Sequence, residues 1–406
     1  MFKCGLGYNQ IANVFKIFHP YTKQKGPHYL TVRQWTMRNG YHKLHSILPE
    51  GKYVILGDLT IDIGKIKCLV TVATDLAKLE EKENYTLSLS DLQIATISPT
   101  EKSNGEFAAK AFQEAFARIG GVDSLAAVVI DGGSDIQRGG RLLQEGNAKI
   151  KIIYDLSHRL SIVLENELTA DLQWDEYTKQ LTLCRKLMCQ TEFAALMPPK
   201  LRSKARFMNA ALYIDWPDRI QKSKQAGNLN MIPPERYMQY FGWLSQFSSS
   251  LDNWIPKVGV VEMIKDVTRI HGLSRDSYEY LQNTMAQMPM EQEIMNFTHK
   301  ALQALHYEVE KLDEGQVLPA FTESLESTFG AHKNHIARSG QGLCGNMITI
   351  ATLVGPPQTI DEIHKAMEAT PVRTMLSWVK EKVGETVGSL RRKFFKKTEF
   401  DKKVFM

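Results

Sequence analysis

The sequence predicts an α/β fold built on a mixed sheet and followed by a long helical stretch. Three observations carry this. Apolar, β-branched runs cluster between residues 53 and 155, helices interrupt them only after the third run, and residues 157 to about 315 show helical periodicity with few strand-like runs. The chain has 406 residues, 43% of them hydrophobic and 23% charged, with six Trp, 14 Tyr and 17 Phe. That composition excludes a largely disordered chain, and the length suits two or three domains. No run of about 18 apolar residues occurs, so no transmembrane helix is expected. Asn9, Gln10, Asn13 and Lys16 interrupt the first apolar stretch, which therefore does not read as a secretory signal. The five cysteines, Cys4, Cys68, Cys184, Cys189 and Cys344, are scattered, odd in number and without zinc spacing, which fits a reduced cytoplasmic compartment.

The 50 Lys and Arg against 45 Asp and Glu give a formal charge of +5, unevenly spread. Residues 1–50 hold seven cations against Glu50 alone, and Arg391, Arg392, Lys393, Lys396, Lys397, Lys402 and Lys403 stand against Glu399 and Asp401 near the C-terminus. Basic ends suit a polyanion such as DNA, or are simply solvated.

The first element is a helix over Gln10–Phe18, followed by a Pro/Gly-rich turn over Pro20–Pro27. A second helix begins at Thr31 as N-cap and stops at Asn39-Gly40. Val32 and Trp35 then face a small core, while Arg33, Gln34, Thr36 and Arg38 face outward, as on the recognition helix of a helix-turn-helix unit. Three strands follow, over 53–61, 66–73 and 87–97, as an antiparallel meander. Ser103, with Glu106 three residues on, caps a helix that ends at Gly120-Gly121. A buried strand over 125–131, a helix near 136–144 and a last strand over 149–155 complete the α/β part. The Met- and Trp-rich stretch Tyr237–Trp254 reads as the interior of a helical domain.

Two acids stand at strand ends. Asp58 follows Tyr53-Val54-Ile55-Leu56-Gly57, and Asp131 follows six apolar residues and precedes Gly132-Gly133. Burying a lone carboxylate costs several kcal/mol, so an acid there takes a helix N-terminus, a partner or a metal. If the strands are neighbours, both carboxylates point into one cleft, where a divalent cation relieves their repulsion. The alternative has Asp131 capping a helix and Asp58 closing a turn. A third acid lies downstream, where Phe321, Leu325 and Phe329 recur every four residues and fix one face of a helix capped by Thr322. Glu326 lies beside that stripe, and Lys333, two turns later, falls on the same side. Asp62, Asp135 and Glu323 compete for the three acid positions. Asp155 and His158 either orient the site or, as we favour, make a helix cap.

The element order, these acids, and the phrases Ile130-Asp131-Gly132-Gly133-Ser134-Asp135, Tyr154-Asp155-Leu156-Ser157-His158 and Leu325-Glu326-Ser327-Thr328-Phe329-Gly330 resemble the DDE transposases of bacterial insertion sequences. The resemblance covers most of the chain. It implies a ribonuclease-H-like mixed-sheet core over 51–160 and 316–385, interrupted by an all-α insertion domain over 161–315. A helix-turn-helix-like DNA-binding segment over 1–50 and a basic tail over 386–406 flank it. Fifty residues ahead of the core are fewer than the family usually carries, which implies a minimal or truncated end-recognition segment. It further implies that Asp58, Asp131 and Glu326 are catalytic and hold two Mg²⁺ ions about 3.5–4 Å apart, with Mn²⁺ an acceptable substitute. Lys333, Arg33, Gln34 and Arg38 would contact DNA. The expected activity is metal-dependent cleavage at transposon ends and strand transfer to target DNA by phosphodiester transesterification. Double-stranded DNA is the expected partner, a homodimer or higher assembly the expected state on DNA, and the bacterial cytoplasm, at the nucleoid, the expected location. Two other readings stay open: a catalytically retired DNA-binding regulator, and a structure-specific DNA nuclease using the same metal site.

Overall fold

The computed structural model describes residues 6–23, 25–61, 66–201, 207–336, 345–384 and 393–395. Asp62 and nearly all of the basic tail lie outside the described residues. The chain divides into two compact units, one of residues 1–153 with 318–406 and the other of residues 154–317.

The first unit begins with α1 (Tyr8–Thr22) and α2 (Tyr29–His45). Strands β1 (Tyr53–Ile61), β2 (Lys67–Asp75) and β3 (Leu92–Thr100) follow, with the one-turn helix α3 (Leu76–Glu80) after β2. Helix α4 (Gly105–Arg118), β4 (Leu125–Ile130), α5 (Ser134–Gly146) and β5 (Ile152–Tyr154) come next. The five strands form one mixed sheet in the order β3-β2-β1-β4-β5. β1 pairs antiparallel with β2, β2 antiparallel with β3, and β1 parallel with β4. Val54, Ile55 and Leu56 and the facing Ala127–Ile130 are fully buried, which is why both strands read as continuous apolar runs rather than alternating ones. α4 presses on this sheet at Gly57, where an added Cβ would meet the Phe112 ring at 2.5 Å.

Strand boundaries shift from expectation, with β2 and β3 running on to Asp75 and Thr100, and the largest shifts are at the starts of β3 and β5. β3 starts at Leu92, because Leu89–Asp91 form a 3₁₀ turn in which the Asp91 carboxylate accepts from the Ser88 backbone N–H at 2.7 Å. β5 shrinks to three residues, since the chain before it is held in a turn by the Ile150 N–H donating to the Asn147 carbonyl.

The larger correction concerns α2. Its N-cap is His28, whose Nδ1 accepts from the Leu30 N–H, and the helix runs through Asn39-Gly40 to His45. Gly40 is no stop signal. It lies against the 3₁₀ segment Gly345–Thr352, where a Cβ would fall 2.2 Å from the Ile348 carbonyl oxygen. Asn39 donates to the Gln358 side chain at 2.6 Å. Tertiary contact overrides the local breaker. Gly40→Ala should therefore lower stability by about 1–3 kcal/mol through overpacking against backbone that cannot step aside, read as a lower denaturant midpoint at unchanged m-value. An unchanged midpoint would show that the two segments separate freely.

Helix α13 (Glu323–Ile336) also belongs to this unit and lies against β1 and the Gly345–Thr352 segment. Helices α14 (Ile360–Ala369) and α15 (Val372–Val383) pack on α2.

The second unit is all-helical: α6 (Leu156–Ala170), α7 (Gln173–Met188), α8 (Ala210–Gln225), α9 (Pro234–Phe241), α10 (Ser248–His271), α11 (Arg275–Ala286) and α12 (Gln292–Val309). Its centre is aromatic. Trp254 stands edge-on to Trp174 and Tyr177 with ring centroids 5.3 and 5.2 Å away, and the Tyr177 hydroxyl donates to the Tyr213 carbonyl at 2.6 Å. No described helix is long and apolar enough to cross a membrane.

Candidate active site

Parallel pairing of β1 with β4 sets Gly57 opposite Ile130, so the next residue on each strand, Asp58 and Asp131, emerges at the same end of the sheet. Both are half-buried, and a side-chain hydrogen bond joins their carboxyls. Asp131 Oδ1 also accepts from the Gly133 N–H at 3.0 Å, an Asx turn that leads the chain into α5. Asp131 does not cap α5; the N-cap is Gly133, without a side-chain bond.

Burial is the main force on Asp58, and the neighbouring Asp131 charge is the next. The Leu59 N–H works in the opposite direction, and the Glu326 charge adds to the repulsion. Together they push the Asp58 carboxyl up from 3.8 to about 7. Two carboxyls in hydrogen-bond contact must share a proton or a cation, because two bare anions repel.

Glu326 reaches this corner from α13. Leu325 and Phe329 are buried, so the expected apolar stripe faces the core, and the buried Thr322 starts the helix, its carbonyl accepting from the Leu325 and Glu326 N–H groups at 2.8 and 3.3 Å. The Glu326 side chain itself is exposed, and Glu323, one turn earlier, is half-buried. The helix continues through Gly330, and Lys333 is half-buried two turns beyond Glu326. Among the described residues, no three His, Cys, Asp or Glu side chains are already drawn together into a metal cage. Two carboxyls touch, and the third acts on Asp58 through its charge.

The donor set fits a hard divalent cation. It consists of oxygens only, and Asp58 is held partly protonated by burial first and by the Asp131 charge second, both of which a bound cation would offset.

Lys67, at the start of β2, adds a cation to the same end of the sheet, 3.9 Å from the Asp135 carboxylate. Sequence reasoning passed over Lys67. The hairpin register, which pairs it with Ile61 three residues beyond Asp58, was the available signal. Asp135 lies in the first turn of α5, beyond the strand end.

The expected DNA-reading face of α2 is otherwise employed. Arg33 Nε donates to Asn346 Oδ1 at 2.7 Å, and Arg38 donates to the carbonyls of Thr370, at 2.7 Å, and Met367. Thr36 is buried and Trp35 is 38% exposed, the reverse of the expected orientation. Only Gln34 of the named trio is exposed without such a role. The helix therefore serves to hold the C-terminal segments. Asp155, in the helical unit, caps α6 by accepting from the His158 N–H at 2.9 Å.

No known protein-family model matches the sequence, and no curated protein matches it.

Proposed function

We propose that this chain is a DDE-type DNA transposase with a ribonuclease-H-like core. The observation that carries the reading is the pair Asp58, within β1, and Asp131, just past the end of the adjacent parallel strand β4, in hydrogen-bond contact, with Glu326 adding its charge to Asp58. The strand order β3-β2-β1-β4-β5, antiparallel on one side of β1 and parallel on the other, supports it. So does an all-helical unit inserted between the last strand and the helix of the third acid.

In this reading Asp58, Asp131 and Glu326 would hold two Mg²⁺ ions, or Mn²⁺. When bound, the metal supplies Lewis acidity for an in-line attack on a DNA phosphodiester by water or by a 3′-hydroxyl. The chain's own residues do the positioning. The rigid parallel pair β1–β4 fixes two carboxylates, Gly133 orients Asp131 through its backbone N–H, and the buried side of α13 anchors Glu326. Lys333 pairs with a phosphate beside the scissile bond. Double-stranded DNA is the partner, both element end and target, and joining two ends calls for at least a dimer. Its place of action is the bacterial nucleoid.

The test is incubation with Mg²⁺, a labelled duplex carrying the ends of the genetic element that encodes the chain, and a plasmid target. Joined product is expected. Asp131→Asn should lose cleavage and joining while retaining duplex binding; unchanged cleavage by that variant removes Asp131 from the site. Cleavage without joining in the unsubstituted chain identifies a nuclease instead, and binding alone a retired regulator.

A further inference from the structure

The sheet unit carries a second cationic feature away from the acidic corner. A cleft of about 350 Å³ opens along the edge strand β3, walled by Ala95–Pro99, by α4, by the end of α2 and by α15. Its lining includes Lys110, Arg118, Lys382 and His45, with Glu114 as the opposing acid. Arg118 is the unusual member. Its Nε and one Nη are shut off from solvent and have no hydrogen-bond partner among the described residues. A guanidinium stays charged and offers five donors in a fixed fork, so leaving two of its nitrogens desolvated and unpaired is costly in a folded protein. A buried orphan of this kind calls for a partner: a water, an ion or a ligand group.

The surroundings indicate which ligand. Burial lowers the His45 pKa, and the charges of Arg118 and Lys382 lower it further, while its Nδ1 lies 2.8 Å from the Tyr41 carbonyl. Positive potential therefore converges on the cleft from α4, through Lys110 and Arg118, and from α15, through Lys382, with His45 kept neutral between them. Trp378 stands edge-on to the stacked Tyr41–His45 pair at 6.4 and 6.3 Å and forms a stiff wall. A basic cleft suits a phosphate, and its exposed lysines, Lys110 and Lys382, on two different helices suit one that belongs to a long chain.

We infer that this cleft grips the phosphodiester backbone of duplex DNA, through Arg118, Lys110 and Lys382, at a contact separate from the acidic corner. The inference rests on the transposase reading and extends it to a second hold on the same DNA. It gives the enzyme a grip that does not depend on metal.

The experiment measures binding of a fluorescein-labelled duplex to the full chain by anisotropy, in EDTA so that no strand is cut, across roughly 50 to 200 mM salt. Lys382 is exposed, so Lys382→Gln leaves the fold intact. This variant should bind about three- to tenfold more weakly, and its log–log salt slope should be shallower by about one. Arg118→Gln should show a larger loss, and inorganic phosphate should compete. Duplex binding unaltered in both variants overturns the cleft and leaves the transposase reading standing. Failure of the unsubstituted chain to bind duplex at low salt overturns both. If phosphate raises the melting temperature of the unsubstituted chain but not of Lys382→Gln, with duplex binding equal, the cleft is a small-anion site and the backbone assignment falls.

Discussion

Asp58→Asn is expected to stabilise the metal-free protein at pH 8 and to abolish its Mg²⁺-dependent action on DNA. Both effects come from one carboxyl. In the unfolded chain Asp58 titrates near 3.8, whereas in the fold it titrates at about 7, raised by burial first and by Asp131 second. Below about pH 4 the carboxyl is protonated in both states and imposes no penalty. Between about 4 and 7 the folded state retains a proton that the unfolded chain releases, so stability falls as pH rises, and above 7 the whole penalty is present. Its size is on the order of a few kcal/mol.

Asparagine does not titrate and removes the repulsion. The melting temperatures of the two proteins should therefore nearly coincide at pH 4 and diverge toward pH 8, with the variant higher. Mg²⁺ should recover the lost stability of the unsubstituted chain at pH 8, more than at pH 5, and leave the variant almost unmoved, because cation and proton compete for the same oxygens. Cleavage should drop roughly a thousandfold or more, since several kcal/mol of transition-state stabilisation leave with a metal ligand. Parallel melting curves across this pH range would show that Asp58 is not strained, and the argument for a cation at this corner would lose its footing. Stability and activity pull in opposite directions here, as expected where a site keeps like charges together for use.

How much of this was readable in advance depends on the range of the interactions concerned. β1 could be read residue for residue, because a strand buried on both faces must be apolar throughout, and Asp58 stands out as the first acid after that run. The α13 stripe was readable for a similar reason: Leu325 and Phe329 repeat at the helical period, and the buried face follows. α2 was misread because its partners lie far along the chain. Arg38 bonds to a carbonyl 332 residues away and Arg33 to a side chain 313 residues away, so a local pattern of basic residues looked outward-facing when it was not. Gly40 carries the same lesson, since a glycine that permits close approach and a glycine that ends a helix are identical in sequence. Nor could the contact between Asp58 and Asp131 be read directly; it needed the parallel pairing of β1 with β4, which follows from the α4 crossover and not from either strand alone.

Glu308→Ala should destabilise the helical unit at a cost of about 3–5 kcal/mol. Glu308 lies on α12 with no exposed surface, yet it is a carboxylate. It accepts from the Tyr154 backbone N–H at 2.9 Å and from Lys311 Nζ at 2.6 Å, and it pairs with Arg159. The two cations are themselves clamped between aromatic rings. The Arg159 guanidinium lies 4.4 Å from the Tyr307 centroid, and Lys311 Nζ lies 4.7 and 4.8 Å from Tyr307 and Tyr154. Burial lowers the Lys311 pKa while Glu308 raises it, so the carboxylate keeps that amine charged inside the fold. Removing Glu308 leaves two shielded cations facing each other and an unpaired backbone N–H, a far larger cost than that of losing an exposed ion pair. Lys179, whose 3.7 Å pair with Glu176 is exposed on α7, provides the contrast: Lys179→Ala should change the melting temperature hardly at all. Comparable shifts from the two substitutions would mean that the Glu308 cluster is open to water and that its rings do not exclude solvent.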